Sequence, residues 1–136
     1  MLVKLAFLLP MVGCAMRLLR FAGTYRLLSR LGRPAPNRYG EGVDFLAVAQ
    51  RLAWLVGIVS RNGPYRATCL RQSLLLWALL RRRGIPADLR IGVGKDSELL
   101  RAHAWLELGG EIVNDAPTVT NEFAAYASLG DRLRSG

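Results

Sequence analysis

Acidic residues are missing from the first forty positions. Residues 1–40 hold Lys4, Arg17, Arg20, Arg26, Arg30, Arg33 and Arg38 and no aspartate or glutamate, whereas residues 41–136 hold twelve basic and ten acidic residues. The net charge of +9 and the pI of about 10.8 therefore belong mainly to the N-terminal segment. Cysteine and histidine are scarce: Cys14, Cys69 and His103 are the full complement in 136 residues. That excludes a disulfide framework and a four-cysteine zinc site, and no structural metal or cofactor is expected. Apolar runs are short. The longest uncharged stretch, Leu5 to Met16, is twelve residues and contains Pro10, well below the ~20 needed to span a bilayer. Repeats and low-complexity tracts are absent, as is the interleaving of aromatic and basic residues that stacks bases, so no nucleic-acid partner is expected. At 51% hydrophobic and 21% charged, the chain is rich enough in apolar surface to fold.

A basic, acid-free, apolar segment suits an acidic partner or a membrane surface. Met11-Val12-Gly13-Cys14 loosely resembles a lipoprotein processing site. A polar linker should then follow, yet Arg17-Leu18-Leu19-Arg20-Phe21 continues a helical pattern. Cys14 therefore reads as a small buried hydrophobe. The expected compartment is a reducing cytoplasm, with residues 1–31 able to lie peripherally on the inner membrane surface or to dock on a partner.

The periodicities place helices first and strands after. Residues 2–9 and 11–31 read as helical with a break or kink near Pro10, and the cluster Gly32-Arg33-Pro34-Ala35-Pro36-Asn37 opens a linker at about 32–43. Asp44 can cap a second helix, to about Ser60, with Phe45, Val48, Leu52, Leu55 and Val59 on its apolar positions. A third helix, Thr68 to Arg83, is nearly all apolar in its middle and should be the central buried one. Arg81-Arg82-Arg83 suits its C-terminal dipole as a solvated end, and Gly84 with Pro86 stops it. The period then changes to two: Ala87–Lys95, Ala102–Leu108 and Ile112–Asp115 read as strands, and Gly109-Gly110 marks a hairpin. Thr120–Leu129 reads as a short helix. The class is α+β.

Cys69 opens the buried helix. A helix N-terminus carries partial positive charge and favours a thiolate, and Arg66 and Arg71 add more nearby. The order Cys69 then His103 suits a thiolate–imidazole pair in which the imidazole takes the thiol proton and returns it to a leaving amine. Asp115 is the candidate for holding the imidazole in one tautomer, with Asn114 and Glu107 as alternatives. Side-chain alternation tests this. A two-residue turn sets Asp115 opposite Ala104, on the wrong face; a three-residue loop sets it opposite Trp105 and diagonal to His103. A three-residue loop, or an equivalent bulge, is therefore expected. The Cys69 backbone N–H is a natural oxyanion donor. Trp105 is a candidate substrate contact beside His103, although core packing suits it as well.

Cys69-Leu70-Arg71-Gln72-Ser73-Leu74, the stretch Leu79 to Val93 (with Arg83-Gly84-Ile85-Pro86-Ala87-Asp88 at its centre), His103-Ala104-Trp105-Leu106-Glu107 and Asp115 together resemble the lasso peptide biosynthesis B2 family. These are transglutaminase-like cysteine proteases that remove the leader from a lasso precursor. The resemblance covers about residues 44–117. It implies a papain/transglutaminase-like core, with a buried central helix packed on a small antiparallel sheet, in a protease domain at 44–136 preceded by a basic helical segment at 1–43. It implies catalytic roles for Cys69, His103 and Asp115. It also implies three partners: a ribosomally made precursor peptide, a separate leader-recognition protein (B1), and an ATP-dependent cyclase that closes the ring. Transglutaminase-type acyl transfer by the same triad, and a non-catalytic binding module of the same fold, are the alternatives.

Overall fold

Asp44 starts the second helix by geometry that its sequence position dictates. Its carboxylate accepts the backbone N–H of Leu46 at 2.9 Å and of Ala47 at 3.2 Å, occupying two of the donors that a helix start leaves unpaired. A computed structural model of the chain describes residues 2–31, 42–62, 68–96 and 99–125. Among them, α1 is Leu2–Leu31, α2 Phe45–Asn62, α3 Cys69–Arg82, β1 Asp88–Asp96, β2 Leu99–Leu108, β3 Glu111–Ile112, α4 Val119–Glu122 and β4 Ala124–Ala125. The strands form one antiparallel sheet in the order β3-β2-β1-β4. The linker at 32–41, Arg66 and the tail beyond Ala125 lie outside the described residues.

Helix α3 is the centre of the molecule. Ser73 to Ala78 and Leu80 are all buried, because α1 and α2 cover one side and β2 the other. Leu5 and Val12 of α1, Ala49, Leu52, Val56 and Val59 of α2, and Leu89, Leu106 and Val113 close the same cluster. Each fully buried leucine contributes about 1.5–3 kcal/mol relative to exposure. Tyr25 stacks on Trp77 with ring centroids 4.7 Å apart, and the Arg81 guanidinium lies 5.3 Å from the Trp77 ring.

The expected break near Pro10 is not present: α1 is helical from Leu2 to Leu31. Proline forfeits one donor within a helix, which the rest of the ladder can carry. The helix is nevertheless not a straight rod. Leu8, Met11 and Val12 share one pocket of about 170 Å³ with Thr24, Leu27 and Leu28, against Leu75–Arg82 of α3. On a straight helix these two sets would lie ~24 Å apart and about 160° around the axis. The bend that brings them together lies beyond Val12, not at Pro10. The side chain of Cys14 is outside the described residues.

Three strand expectations are corrected. The hairpin turn has two residues: Leu108 pairs with Glu111 and Glu107 with Ile112. Gly109 and Gly110 take φ of +58° and +87°, as a tight turn matched to strand twist requires. The third strand is Glu111–Ile112 rather than Ile112–Asp115, because the chain leaves the ladder once Val113 N–H has bonded Leu106 O at 2.9 Å. The segment expected as a helix from Thr120 is a single turn, α4, followed by β4, which pairs Ala124 with Val93 and Ala125 with Gly92.

That last pairing needs a bare backbone on β1. A Cβ on Gly94 would stand 2.5 Å from the carbonyl oxygen of Glu122 and 2.8 Å from the Phe123 ring. Gly94→Ala should therefore cost about 1–3 kcal/mol in a urea melt. It should also release the 119–125 segment, seen as faster hydrogen exchange at Ala124 and Ala125.

Candidate active site

Cys69 is the first residue of α3 and is partly buried; Thr68 occupies the cap position with extended backbone (φ −68°, ψ 160°). Its N–H is among those at a helix start that have no acceptor within the helix. The thiol thus sits at the positive end of the most deeply buried helix, on a scaffold that cannot move without disturbing the core.

His103 stands on β2 opposite Gly92 of β1. Its Nε2–H donates to Oδ2 of Asp115. The other carboxylate oxygen of Asp115 accepts the N–H of Ala116 at 2.7 Å. The carboxylate is held at both oxygens, and the imidazole keeps Nδ1 for other chemistry. The side chains of the pair are 24% and 28% exposed, so a substrate can reach them. The Phe123 ring stacks on the imidazole at 4.9 Å between centroids.

Asp115 reaches His103 by a route other than the expected register. The two-residue turn would direct it to the opposite face from His103, but strand pairing ends before it. Asn114 replaces the ladder with its side chain: its Oδ1 accepts the N–H of Leu106 at 2.7 Å. Its Nδ2 donates to Ser73 Oγ at 2.9 Å, and Ser73 Oγ donates to the carbonyl of Ala104 at 3.0 Å. Ser73 is completely buried and lies one helical turn after Cys69. Ala104 follows His103, and Asn114 precedes Asp115. One buried hydroxyl and one amide therefore join the helix of the cysteine, the strand of the histidine and the segment of the aspartate.

Of the alternative orienters, Asn114 is engaged in that network. Glu107 is engaged elsewhere, accepting the Trp105 indole N–H at 2.9 Å and Arg90 Nε at 3.0 Å. Trp105, read as a candidate substrate contact, is fully buried. Its ring lies against Gly92, where a Cβ would come within 2.7 Å of it, and 6.2 Å from the imidazole centroid. It backs the histidine and has no surface to offer a substrate. Sequence reading missed the role of Ser73; a serine immediately ahead of the apolar run Leu74–Leu80 was the available signal. A cleft of about 350 Å³ opens beside Asp115, walled by α2 and α3. No group of three His, Cys, Asp or Glu side chains suited to a metal occurs among the described residues.

A partly exposed cysteine at a helix start, an imidazole on the adjoining strand and a carboxylate tying down that imidazole form an arrangement suited to acyl transfer through a thioester. The chain belongs to the transglutaminase-like superfamily, whose family model matches residues 8–128. It is similar to the microcin J25-processing protein McjB of Escherichia coli, with 34% identity over 74 residues, 54% of this chain. Those residues span 35% of the length of that relative. No solved structure matches the chain. The mixed α+β architecture expected from the sequence is the one found, with a buried helix against a small antiparallel sheet.

Ser73→Ala should strand the Asn114 amide and the Ala104 carbonyl in the interior. The expected loss is about 1–3 kcal/mol, read by chemical denaturation, with Asn114→Ala comparable. A double variant losing much less than the sum of the two would show that they act as one unit.

Proposed function

We propose that the protein is a cysteine peptidase that removes the leader from a ribosomally made lasso precursor peptide. The observation that carries this reading is the His103–Asp115 pair, tied through Ser73 and Asn114 to the helix that Cys69 opens. The relative's name, a processing protein for microcin J25, supports a peptide-maturation role of the same kind. His103 Nδ1 takes the thiol proton. The thiolate of Cys69 attacks the scissile carbonyl carbon, forming a C–S bond, while the backbone N–H of Cys69 stabilises the oxyanion. The imidazolium, held by Asp115, gives its proton to the departing amine and the C–N bond breaks. Water then attacks the thioester, losing a proton to Nδ1, and the leader carboxylate departs as the cysteine is regenerated. The chemistry resides in residues 44–136.

Delivery of the precursor belongs to a separate leader-recognition protein, and ring closure to an ATP-dependent cyclase. Residues 1–43 supply the contact surface. Val3, Phe7 and Met11 recur at helical spacing on α1 and are 65–70% exposed, with Lys4, Arg26 and Arg30 exposed on the same helix. A recognition protein or the inner membrane surface would cover that stripe. No helix of the described residues is long and apolar enough to cross a membrane.

Mass spectrometry of a precursor peptide, incubated with this protein and its recognition partner, tests the reading. Wild type should give leader and core fragments, Cys69→Ala none. Asp115→Asn should slow cleavage by about 10²–10⁴-fold. Fragments of equal yield from Cys69→Ala would overturn the peptidase assignment. A product linked to an added amine, with no free leader acid, would point to transglutaminase-type transfer.

A further inference from the structure

The cleft beside Asp115 has one wall formed by α2. Gln50, Trp54, Gly57 and Arg61 line it from α2, at spacings of four, three and four, and so form one stripe along the helix. The stripe is ~16 Å long, room for four or five residues of extended peptide at ~3.3 Å each. Trp54 is 61% exposed, whereas Trp77 and Trp105 are buried. A large aromatic left open to water inside a cleft is a platform awaiting an occupant. At Gly57 the absent side chain leaves room for the Arg61 guanidinium, which would lie 3.5 Å from a Cβ there. Arg61 has no acidic partner among the described residues. The one carboxylate in the cleft, Asp115, is already held by His103 and by the Ala116 N–H.

The charge of the surrounding chain points the same way. Residues 45–87, which contain α2 and α3, carry seven arginines and no acidic residue, whereas residues 88–136 carry five basic and eight acidic residues. The positive excess therefore extends beyond the N-terminal segment into both helices that wall the cleft. Arg61 also stands in the last turn of α2, eight residues before Cys69 in the chain. A carboxylate bound there would lie in the cleft that Asp115, the partner of His103, also lines.

We infer that this cleft is a specificity site for an acidic stretch of the peptide substrate. The peptide lies extended along α2 on Trp54, and Arg61 selects an aspartate or glutamate side chain close to the scissile bond. The inference rests on the peptidase reading of Cys69, but its binding component can be measured without catalysis.

The experiment uses two readouts on the full chain. In the first, decapeptide pools with one fixed residue per pool are digested with wild type, Arg61→Glu, Arg61→Lys and Arg51→Glu, and fragments are quantified by mass spectrometry. Arg51 is exposed on α2 and does not line the cleft, so Arg51→Glu matches the change in charge without touching the site. In the second, the same peptides are titrated into the Cys69→Ala protein and the emission of Trp54 is followed, with Trp54→Phe as the blank. Glu and Asp pools should exceed Gln and Asn pools by about tenfold at one position. Arg61→Lys should keep part of that preference. Arg61→Glu should reverse it toward Lys and Arg, and Arg51→Glu should leave it intact. Binding of acidic peptides should shift the Trp54 emission to the blue. Equal use of acidic and amide pools, or a preference unaltered by Arg61→Glu, would overturn the inference while leaving the peptidase reading in place. An Arg61-dependent acidic preference in binding keeps the site whether or not a pool is cleaved, and binding of acidic and amide peptides with equal affinity would overturn it; the peptidase reading is decided separately, by the precursor assay with the recognition partner.

Discussion

A hydroxyl with nowhere else to go governs the geometry of this molecule. Ser73 is fully buried in the central helix of the chain, and its desolvation is offset only if both partners are present. It finds them in the Ala104 carbonyl on β2 and the Asn114 amide just past β3. Neither partner can shift without leaving a buried polar group unmet. The helix, the strand and the post-hairpin segment are thereby locked at one spacing, and each carries one of Cys69, His103 and Asp115 close in sequence to the lock. Precision at a half-exposed site is obtained from a polar contact wholly inside the core.

This explains an otherwise odd use of the hairpin. A two-residue Gly109-Gly110 turn is the tightest way to join β2 and β3, but its register alone would aim Asp115 away from His103. The ladder is abandoned after Ile112, and the Asn114 side chain takes over a hydrogen bond that a backbone carbonyl would otherwise supply. Freed from alternation, Asp115 can turn to the imidazole. On the far edge, Gly92 and Gly94 leave β1 bare so that Trp105 and Phe123 can lie close to the histidine from behind. The imidazole is thus fixed by a carboxylate at one nitrogen and by aromatic rings about its plane.

What the sequence revealed was mostly local. The Asp44 cap, the extent of α3, its stop at Gly84 and the Gly-Gly hairpin follow from neighbours a few residues apart, and each was legible. Cys69 opens α3 as its position after Thr68 suggests, and the pairing of His103 with Asp115 was also legible, because a lone histidine on a strand is conspicuous. The register argument reached the right carboxylate through the wrong loop. It assumed that strand pairing would persist to Asp115, and nothing local announces that an asparagine side chain will replace it. Ser73 and Asn114 are 41 residues apart, so their bond is invisible to any periodicity. Trp105 is fully buried for a similar reason: its ring lies against Gly92, on the neighbouring strand β1. The bend of α1 lies beyond Val12, where no proline announces it.

The segregation of charge along the chain also bears on kinetics. The two helices that wall the cleft, α2 and α3, carry arginines and no acidic residue, so that wall has a net positive charge. An acidic peptide of the kind proposed above would be steered toward that wall before contact. Added salt shortens the reach of that field to the Debye length, about 8 Å at physiological ionic strength, so encounter with such a peptide would slow as ionic strength rises.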